Sequence, residues 1–421
     1  MKIAIVGAGV AGLTAAHRLH PTHDVTVFEA GDHAGGHTNT IDIEHDGRTW
    51  AVDTGFIVCN DRTYPNFLAL LADLGVATQP THMGFSVSAD AEDFEYTGTP
   101  RGLFAQRRNL ARPAFLRMVG ELVRFNGDLQ RLLASGDEGP SLAAMLADGG
   151  YSRFFVDRLI VPQVSAVWSA DPAAMDRFPA RFLAEFFANH GMLSLRNRPQ
   201  WLTVRGGSRT YVDAIIARLG GERVRLCTPV TSIARDEDGV TVTPQGGAPE
   251  RFDEVVLACH SDQALALLAD PSDAERDVLG AIAYQRNEAV LHTDSSLLPR
   301  RPAVRQAWNA HLLAEPKDRT TVTYWMNHLQ HLDPGVDFCV TLNLTERIDP
   351  AKVLRVIDYA HPVFTAEAVA AQDRHGEISG VRRTHYCGAY WRWGFHEDGV
   401  WSALRAVDGI GAAARREAVA A

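Results

Sequence analysis

The feature that most constrains this chain lies between Lys2 and Glu29. Lys2-Ile3-Ala4-Ile5-Val6 is a short apolar run of the kind buried on both faces of a sheet. It leads directly into Gly7-Ala8-Gly9-Val10-Ala11-Gly12, then a helical pattern from Leu13 to Leu19, then a second apolar run, Asp24–Phe28, ending at Glu29 and Ala30. Each glycine has a task in a strand–turn–helix unit that cradles a dinucleotide. Gly7 permits the tight turn, Gly9 lets the backbone approach a pyrophosphate, and Gly12 allows helix to pack closely on strand. The start of the helix offers free N–H groups and a partial positive charge to the phosphates. Glu29 stands where a carboxylate accepts hydrogen bonds from ribose hydroxyls, and its charge disfavours a 2′-phosphate.

Further along, Gly35-Gly36-His37-Thr38 is followed by Arg48 and by Asp53-Thr54-Gly55-Phe56. Val204-Arg205-Gly206-Gly207 precedes a helix, and Val230–Ile233 precedes a hairpin signal at Asp238-Gly239. Glu254–Ala258 reads as a returning strand before Cys259-His260. Near the end stand Tyr386-Cys387-Gly388-Ala389-Tyr390 and Gly394-Phe395-His396-Glu397-Asp398-Gly399-Val400. Together these motifs resemble the amine-oxidase-like flavoprotein superfamily, which includes phytoene desaturases and protoporphyrinogen oxidase. The resemblance covers essentially the whole chain, and within the superfamily it is nearest a bacterial subfamily associated with modification of fatty acyl chains.

That resemblance implies FAD as cofactor. It implies an α/β fold: a Rossmann-type, glutathione-reductase-like FAD-binding domain with an α+β substrate domain inserted. Gly35, Gly36, His37 and Thr38 would pass the pyrophosphate and ribitol, Gly55 and Phe56 would be further cofactor residues, Val230 would place its backbone against the adenine, and the strand to Ala258 would return to the main sheet. Gly388, Asp398, Gly399 and Val400 would close the site, with a helix N-terminus toward the flavin ring. Two departures stand out: His37 replaces the usual arginine, and Ala389 replaces an acidic residue, for which Asp398, Glu397 or water would substitute.

The expected FAD domain is discontinuous, residues 1–80, 201–265 and 380–421, with residues 81–200 and 266–379 forming the substrate domain. The first insert reads as mostly helical; the second contains strand-like runs at Glu288–Thr293, Thr320–Trp325 and Asp337–Leu344.

A net charge of −10 gives no reason to expect a nucleic-acid partner. The five cysteines are scattered, without a C-x-x-C pair, so free thiols are expected rather than disulfides or a metal site. With a strand beginning at residue 2 and no apolar stretch of membrane-spanning length, a soluble cytoplasmic protein is expected.

Residues 101–133 differ from the rest: seven arginines (101, 107, 108, 112, 117, 124, 131) stand against Glu121 and Asp128, interleaved with apolar residues. A basic amphipathic helix could lie on the inner face of an anionic membrane, or its apolar stripe could pack on the core.

For chemistry, the amine oxidases place a lysine near the flavin, yet Lys2, Lys317 and Lys352 are badly sited for that, Lys352 opening what reads as a late helix. Aromatics such as Trp168, Phe186, Trp391 and Phe395 would suit a long apolar substrate or simply form core. His37, His396 and Tyr390 are the candidate catalytic groups, with His260 a further acid–base candidate. Cys59 reads as a buried thiol. Three functions stay open: hydride abstraction from an unsaturated or methylated fatty acyl chain, amine oxidation, and a non-catalytic lipid carrier or partner of a lipid-modifying methyltransferase.

Overall fold

The computed structural model describes residues 1–89, 92–168, 178–193, 198–315, 317 and 319–420. A five-stranded, wholly parallel sheet runs in the order Val224–Arg225, Asp24–Phe28, Lys2–Val6, Glu254–Leu257, Thr384–Tyr386. Alternate residues serve its two faces, as the period of a strand requires. Ile3, Ile5, Val25, Val27 and Val256 pack with the helices Val10–Leu19, Arg209–Leu219 and His396–Ala420. Ala4, Val6, Phe28, Val255 and Leu257 pack with the antiparallel meander Val230–Arg235, Val240–Pro244 and Glu250–Phe252. Burial on both faces explains why the strands read as continuous apolar runs. The Asp238-Gly239 turn joins the first two meander strands, as expected.

Under the meander, the fully buried Arg235 side chain donates to Glu275 at 2.5 and 2.9 Å and to Asp270 at 3.2 Å. The Tyr386 hydroxyl also donates to Glu275, at 2.6 Å. These bonds tie the meander, the helix Asp273–Gly280 and the last strand of the central sheet together. The Arg235 guanidinium and the hydrogen bonds hold the Glu275 carboxyl down to about 2 against its desolvation.

The second sheet has seven strands in the order Val353–Pro362, Tyr284–His292, Cys339–Leu342, Val322–Trp325, Trp308–Leu312, Phe85–Ala89, Phe94–Thr97. Only Trp308–Leu312 against Phe85–Ala89 is a parallel pairing. The three strand-like runs expected between residues 288 and 344 all lie in it. The residues after Lys352 do not form a helix: a short turn at Pro350–Lys352 enters the ten-residue edge strand. The run Val353-Leu354-Arg355-Val356-Ile357 is rich in β-branched residues, which favour a pleated surface.

A helical layer covers one end of this sheet through Phe115, Phe125, Leu129, Phe155, Phe182 and Phe187, packed with Val87 and Phe94. The stretch expected as one basic helix is broken. It comprises Pro100–Leu103, a turn at Arg107–Ala111, and the helix Pro113–Ser135. Arg112 precedes Pro113, and a residue before proline is driven from helical to extended geometry, here φ −103°, ψ 103°.

Candidate functional site: the seam between the two sheets

Strands of a parallel sheet bind ligands beyond their carboxyl ends. At that edge the chain gathers its glycine motifs. Gly12 packs so tightly that a Cβ there would lie 1.9 Å from the Gly7 carbonyl oxygen. Gly9, by contrast, faces open space, and Gly36 crosses it at φ +59° with a would-be Cβ 3.3 Å from the Gly9 Cα. The Gly35 N–H donates to the Ala8 carbonyl at 2.8 Å, locking the second glycine loop over the first. The helix that begins at Val10 has no side-chain cap and no acid in its first turn, so its N–H groups and partial charge are open to a phosphate. Ala11 lies within that first turn and is buried.

Glu29 is placed at this rim by two backbone donors, Ala8 N–H at 2.7 Å and Gly31 N–H at 2.8 Å, with Ala30 between. Thr228 N–H donates to the Glu29 carbonyl, which brings the segment leading to Val230 alongside. Ala258 joins from the central strand: its N–H donates to the Val6 carbonyl, and its own carbonyl lies 2.9 Å from where a Gly7 Cβ would sit.

Asp53 fastens the next segment. Its carboxylate accepts from Thr40, the Ser208 N–H and hydroxyl, and Gln330, although burial pushes its pKa up to about 6. The Phe56 N–H donates to the His37 carbonyl at 2.7 Å, and Gly55 abuts the same oxygen. From the other end of the chain, Gly399 meets Val10, a Cβ there lying 2.7 Å from Val10 Cγ1, and Val400 is buried beside it. Gly388 exchanges two hydrogen bonds with the Ser402 hydroxyl, at 2.9 and 3.0 Å. The expected cofactor residues from all three sequence segments are thus brought together.

The candidate catalytic residues divide. The His37 ring stacks on Tyr359 at 4.7 Å and meets His361 edge-on at 5.1 Å. Its Nε2 is buried without a partner, and burial with neighbouring histidines holds its pKa well below 6.5. His396 does not fit an acid–base role. Its ring lies 3.7 Å from Phe56, its Nε2 is engaged by Thr38 Oγ1 at 2.8 Å and Tyr211 Oη at 3.2 Å, and burial lowers its pKa to about 3. It is a neutral core group that positions the loop carrying Thr38. Tyr390 is 3% exposed and packs over Gly388, and its hydroxyl is buried without a partner.

Glu397 is engaged within the protein: it accepts from Asn66 and Phe67 at the start of the helix Pro65–Leu74. Asp398 accepts from the Phe395 N–H, and burial raises its pKa to about 7. Burial pushes the Cys59 thiol up to about 12, in keeping with an inert thiol. Among the described residues no group of three or more metal-ligating side chains converges.

Tyr359, His361 and Asn287 were not foreseen. All three lie on the pairing of Tyr284–His292 with Val353–Pro362, whose register sets Asn287 opposite Tyr359 and Gln285 opposite His361. The Tyr359 hydroxyl reaches Thr54 at 3.0 Å, so the edge of the second sheet touches the Asp53-Thr54-Gly55-Phe56 segment. His260 completes the seam, stacked on Tyr284 at 4.3 Å.

Comparison with known proteins agrees with this geometry. Residues 10–291 match the family of flavin containing amine oxidoreductases. The chain belongs to that family. It is 29% identical over 296 residues to AofH of Mycobacterium tuberculosis, described as a flavin-containing monoamine oxidase, covering 64% of this chain and 59% of that protein. It is 26% identical over 279 residues to the flavin-dependent L-tryptophan oxidase RebO of Lentzea aerocolonigenes, covering 58% and 54%. The chain thus spans little more than half the length of these relatives.

The fold extends across whole chains of cyclohexylamine oxidase from Brevibacterium oxydans (TM-score 0.72, 17% identity, 98% and 99% covered). It also extends across a fatty acid isomerase from P. acnes (TM-score 0.63, 17% identity, 96% and 97% covered). FAD is the cofactor the family implies, and the residues fit it. The open face of Gly9, the uncapped helix, Glu29 and the orphaned His37 Nε2 are what a dinucleotide with a polar ring system would satisfy.

Proposed function

We propose that this chain is an FAD-dependent oxidoreductase that removes hydride from a long apolar substrate such as an unsaturated or methylated fatty acyl chain. The observation that supports the reading is the cluster of aromatic side chains packed against the last flavin motif. Phe186 of the helical layer stacks with Phe395 at 5.2 Å, Trp168 Nε1 donates to the Trp393 carbonyl, and Phe182 packs on Phe364. Bound FAD supplies the two-electron oxidant. The chain's part is to hold the cofactor across the seam, align an apolar chain beside it and keep water out.

Lysine chemistry has no support at the seam. Lys317 pairs with Glu346, Lys352 with Asp294, and Lys2 lies over Phe252. Oxidation of an amine is the second reading, favoured by the names of the relatives. Anaerobic addition of unsaturated phospholipid, then of amines, to the FAD-loaded protein separates them. Bleaching of the oxidised flavin by the lipid alone is expected. Bleaching by an amine alone overturns the acyl-chain reading, and tight lipid binding without bleaching leaves a carrier or a methyltransferase partner.

The same reading includes contact with an anionic lipid surface through residues 104–123. Phe104, Leu110, Leu116 and Val123 are exposed, the last at 73%, and they are half of the large exposed apolar side chains among the described residues. The neighbouring arginines are partly engaged: Arg108 with Asp93, Arg117 with Glu121, Arg124 over Tyr151. The Arg101 side chain lies outside the described residues. Among these residues no helix is long and apolar enough to cross a membrane. Sedimentation with vesicles of anionic phospholipid is expected to carry the protein down, and Val123→Glu to release it; equal retention by zwitterionic vesicles would contradict the charge-assisted contact.

A further inference from the structure

The edge of the second sheet carries a relay that sets the proton on one imidazole. It begins at Asn343, whose amide orientation is fixed by two backbone partners. The Glu288 N–H donates to Asn343 Oδ1 at 3.0 Å, and Asn343 Nδ2 donates to the Thr320 carbonyl at 3.0 Å. The remaining Nδ2 hydrogen goes to Asn287 Oδ1 at 2.8 Å. Asn287 is therefore an acceptor at its oxygen, and its amide nitrogen is the atom that faces His361 Nδ1 at 3.0 Å. An amide nitrogen can only donate, so His361 Nδ1 must be the bare lone pair. The proton of a neutral ring is then on Nε2. Protonating Nδ1 would set one N–H against another.

The His361 Nε2–H accordingly points away from the relay and makes no hydrogen bond among the described residues. The groups around the ring carry no carboxylate to draw a second proton: His37 lies 5.1 Å away edge-on, Tyr359 at 6.4 Å, and His260 nearby adds to the burial that lowers the His361 pKa to about 4. The imidazole is buried enough to be oriented, yet keeps a donor to give. His37 Nε2, its neighbour across the seam, is also unpartnered.

We propose that His361 is a fixed Nε2–H hydrogen-bond donor to the flavin held at this seam, and that Asn287 is the positioning residue that selects its tautomer. The inference rests on the seam being the FAD site. The relay itself does not, because its bonds are all within the protein. A donor so placed favours electron density on the ring it touches, as preorganised donors do wherever negative charge develops. A second-sphere amide that fixes which imidazole nitrogen carries the proton is the same device that orients histidine ligands elsewhere.

The test uses the FAD-loaded protein with sulfite, whose addition to oxidised flavin leaves an anionic adduct, and nitrogen-15 spectra of the histidines. In wild type, His361 is expected to show a protonated Nε2 and bare Nδ1 from pH 5 to 8. Asn287→Asp substitutes a carboxylate that only accepts, so a protonated Nδ1 is expected. His361→Gln keeps an N–H near the Nε2 position and is expected to hold sulfite within about threefold of wild type. His361→Phe, which keeps no donor, is expected to weaken sulfite by about tenfold, equivalent to about 1.4 kcal/mol.

A bare Nε2 in wild type, or His361→Phe binding sulfite as wild type does, overturns the proposal. Should the protein hold no FAD, the seam reading fails by itself, while the spectra of the FAD-free protein still decide the tautomer. Thermal midpoints of the variants separate misfolding from loss of the donor.

Discussion

Two of the histidines in the flavin motifs have surroundings that could hardly differ more. His396 has its Nε2 held by the hydroxyls of Thr38 and Tyr211, and its ring lies flat on Phe56. His37 has a buried Nε2 with no partner and rests against Tyr359 and His361, which belong to the other sheet. A buried polar atom without a partner costs about 1–3 kcal/mol. The contrast separates a histidine whose ring is bonded within the protein from one whose buried nitrogen is not, although both lie in conspicuous motifs.

The largest effect is expected on the ligand side of this divide. Gly12→Val would drive a side chain into the Gly7 carbonyl, 1.9 Å from the new Cβ, and displace the turn that receives the pyrophosphate. A colourless protein is expected, with FAD affinity reduced at least about 100-fold; a variant that purifies yellow, with full FAD content, would break the assignment of this turn.

For the buried histidines, acidity is the lever. Burial lowers His190, His292, His361 and His375 to about 4 and His396 to about 3. Unfolding lets each take up a proton below the usual histidine value, so their stabilisation is present above about pH 6.5 and is lost as pH falls toward 4. Asp53 and Asp398, raised to about 6 and about 7, act in the opposite sense: protonated when folded, they favour the fold as pH falls through those values. The lowered histidines outnumber the raised carboxylates, so net proton uptake on unfolding is expected between pH 6 and 5. The melting temperature is expected to fall steeply between pH 6 and 5. A flat profile would show that these imidazoles are not held neutral.

The smaller effect sharpens the pair directly. His396→Phe removes one partner of Thr38 and Tyr211, whose hydroxyls still bond each other, and is expected to destabilise the FAD-free protein by about 1 kcal/mol. His37→Phe removes a buried unpartnered atom and is expected to leave the FAD-free protein more stable, by up to about 1–3 kcal/mol, while weakening FAD several-fold. Chemical denaturation and flavin fluorescence read the two quantities separately. Reversed behaviour would mean that the roles are exchanged.

The nucleotide half was legible because its evidence is local. Strand, glycine turn, helix, strand and Glu29 follow one another within thirty residues, and each has a residue-level reason. His37, which stands where the resemblance leads one to expect an arginine, is legible in the same way. The facing side was not legible. Tyr359, His361 and Asn287 meet through a register between strands separated by some seventy residues, and nothing in either strand announces the pairing. The β-branched run at Val353–Ile357 could have marked the strand, yet Lys352 was read as the start of a helix. The arginines of residues 101–133 suggested a single helix, although Arg112-Pro113 carries its own break. His396 looked catalytic because of its motif; its hydroxyl partners, Thr38 and Tyr211, are supplied from 358 and 185 residues away.

The most direct measurement follows the histidine nitrogen-15 resonances of FAD-free protein as FAD is added. Those of His37 are expected to shift at one equivalent, with those of His396 unmoved because Thr38 and Tyr211 already hold it. Shifts at His396 with none at His37 would contradict the placement of the flavin at this seam.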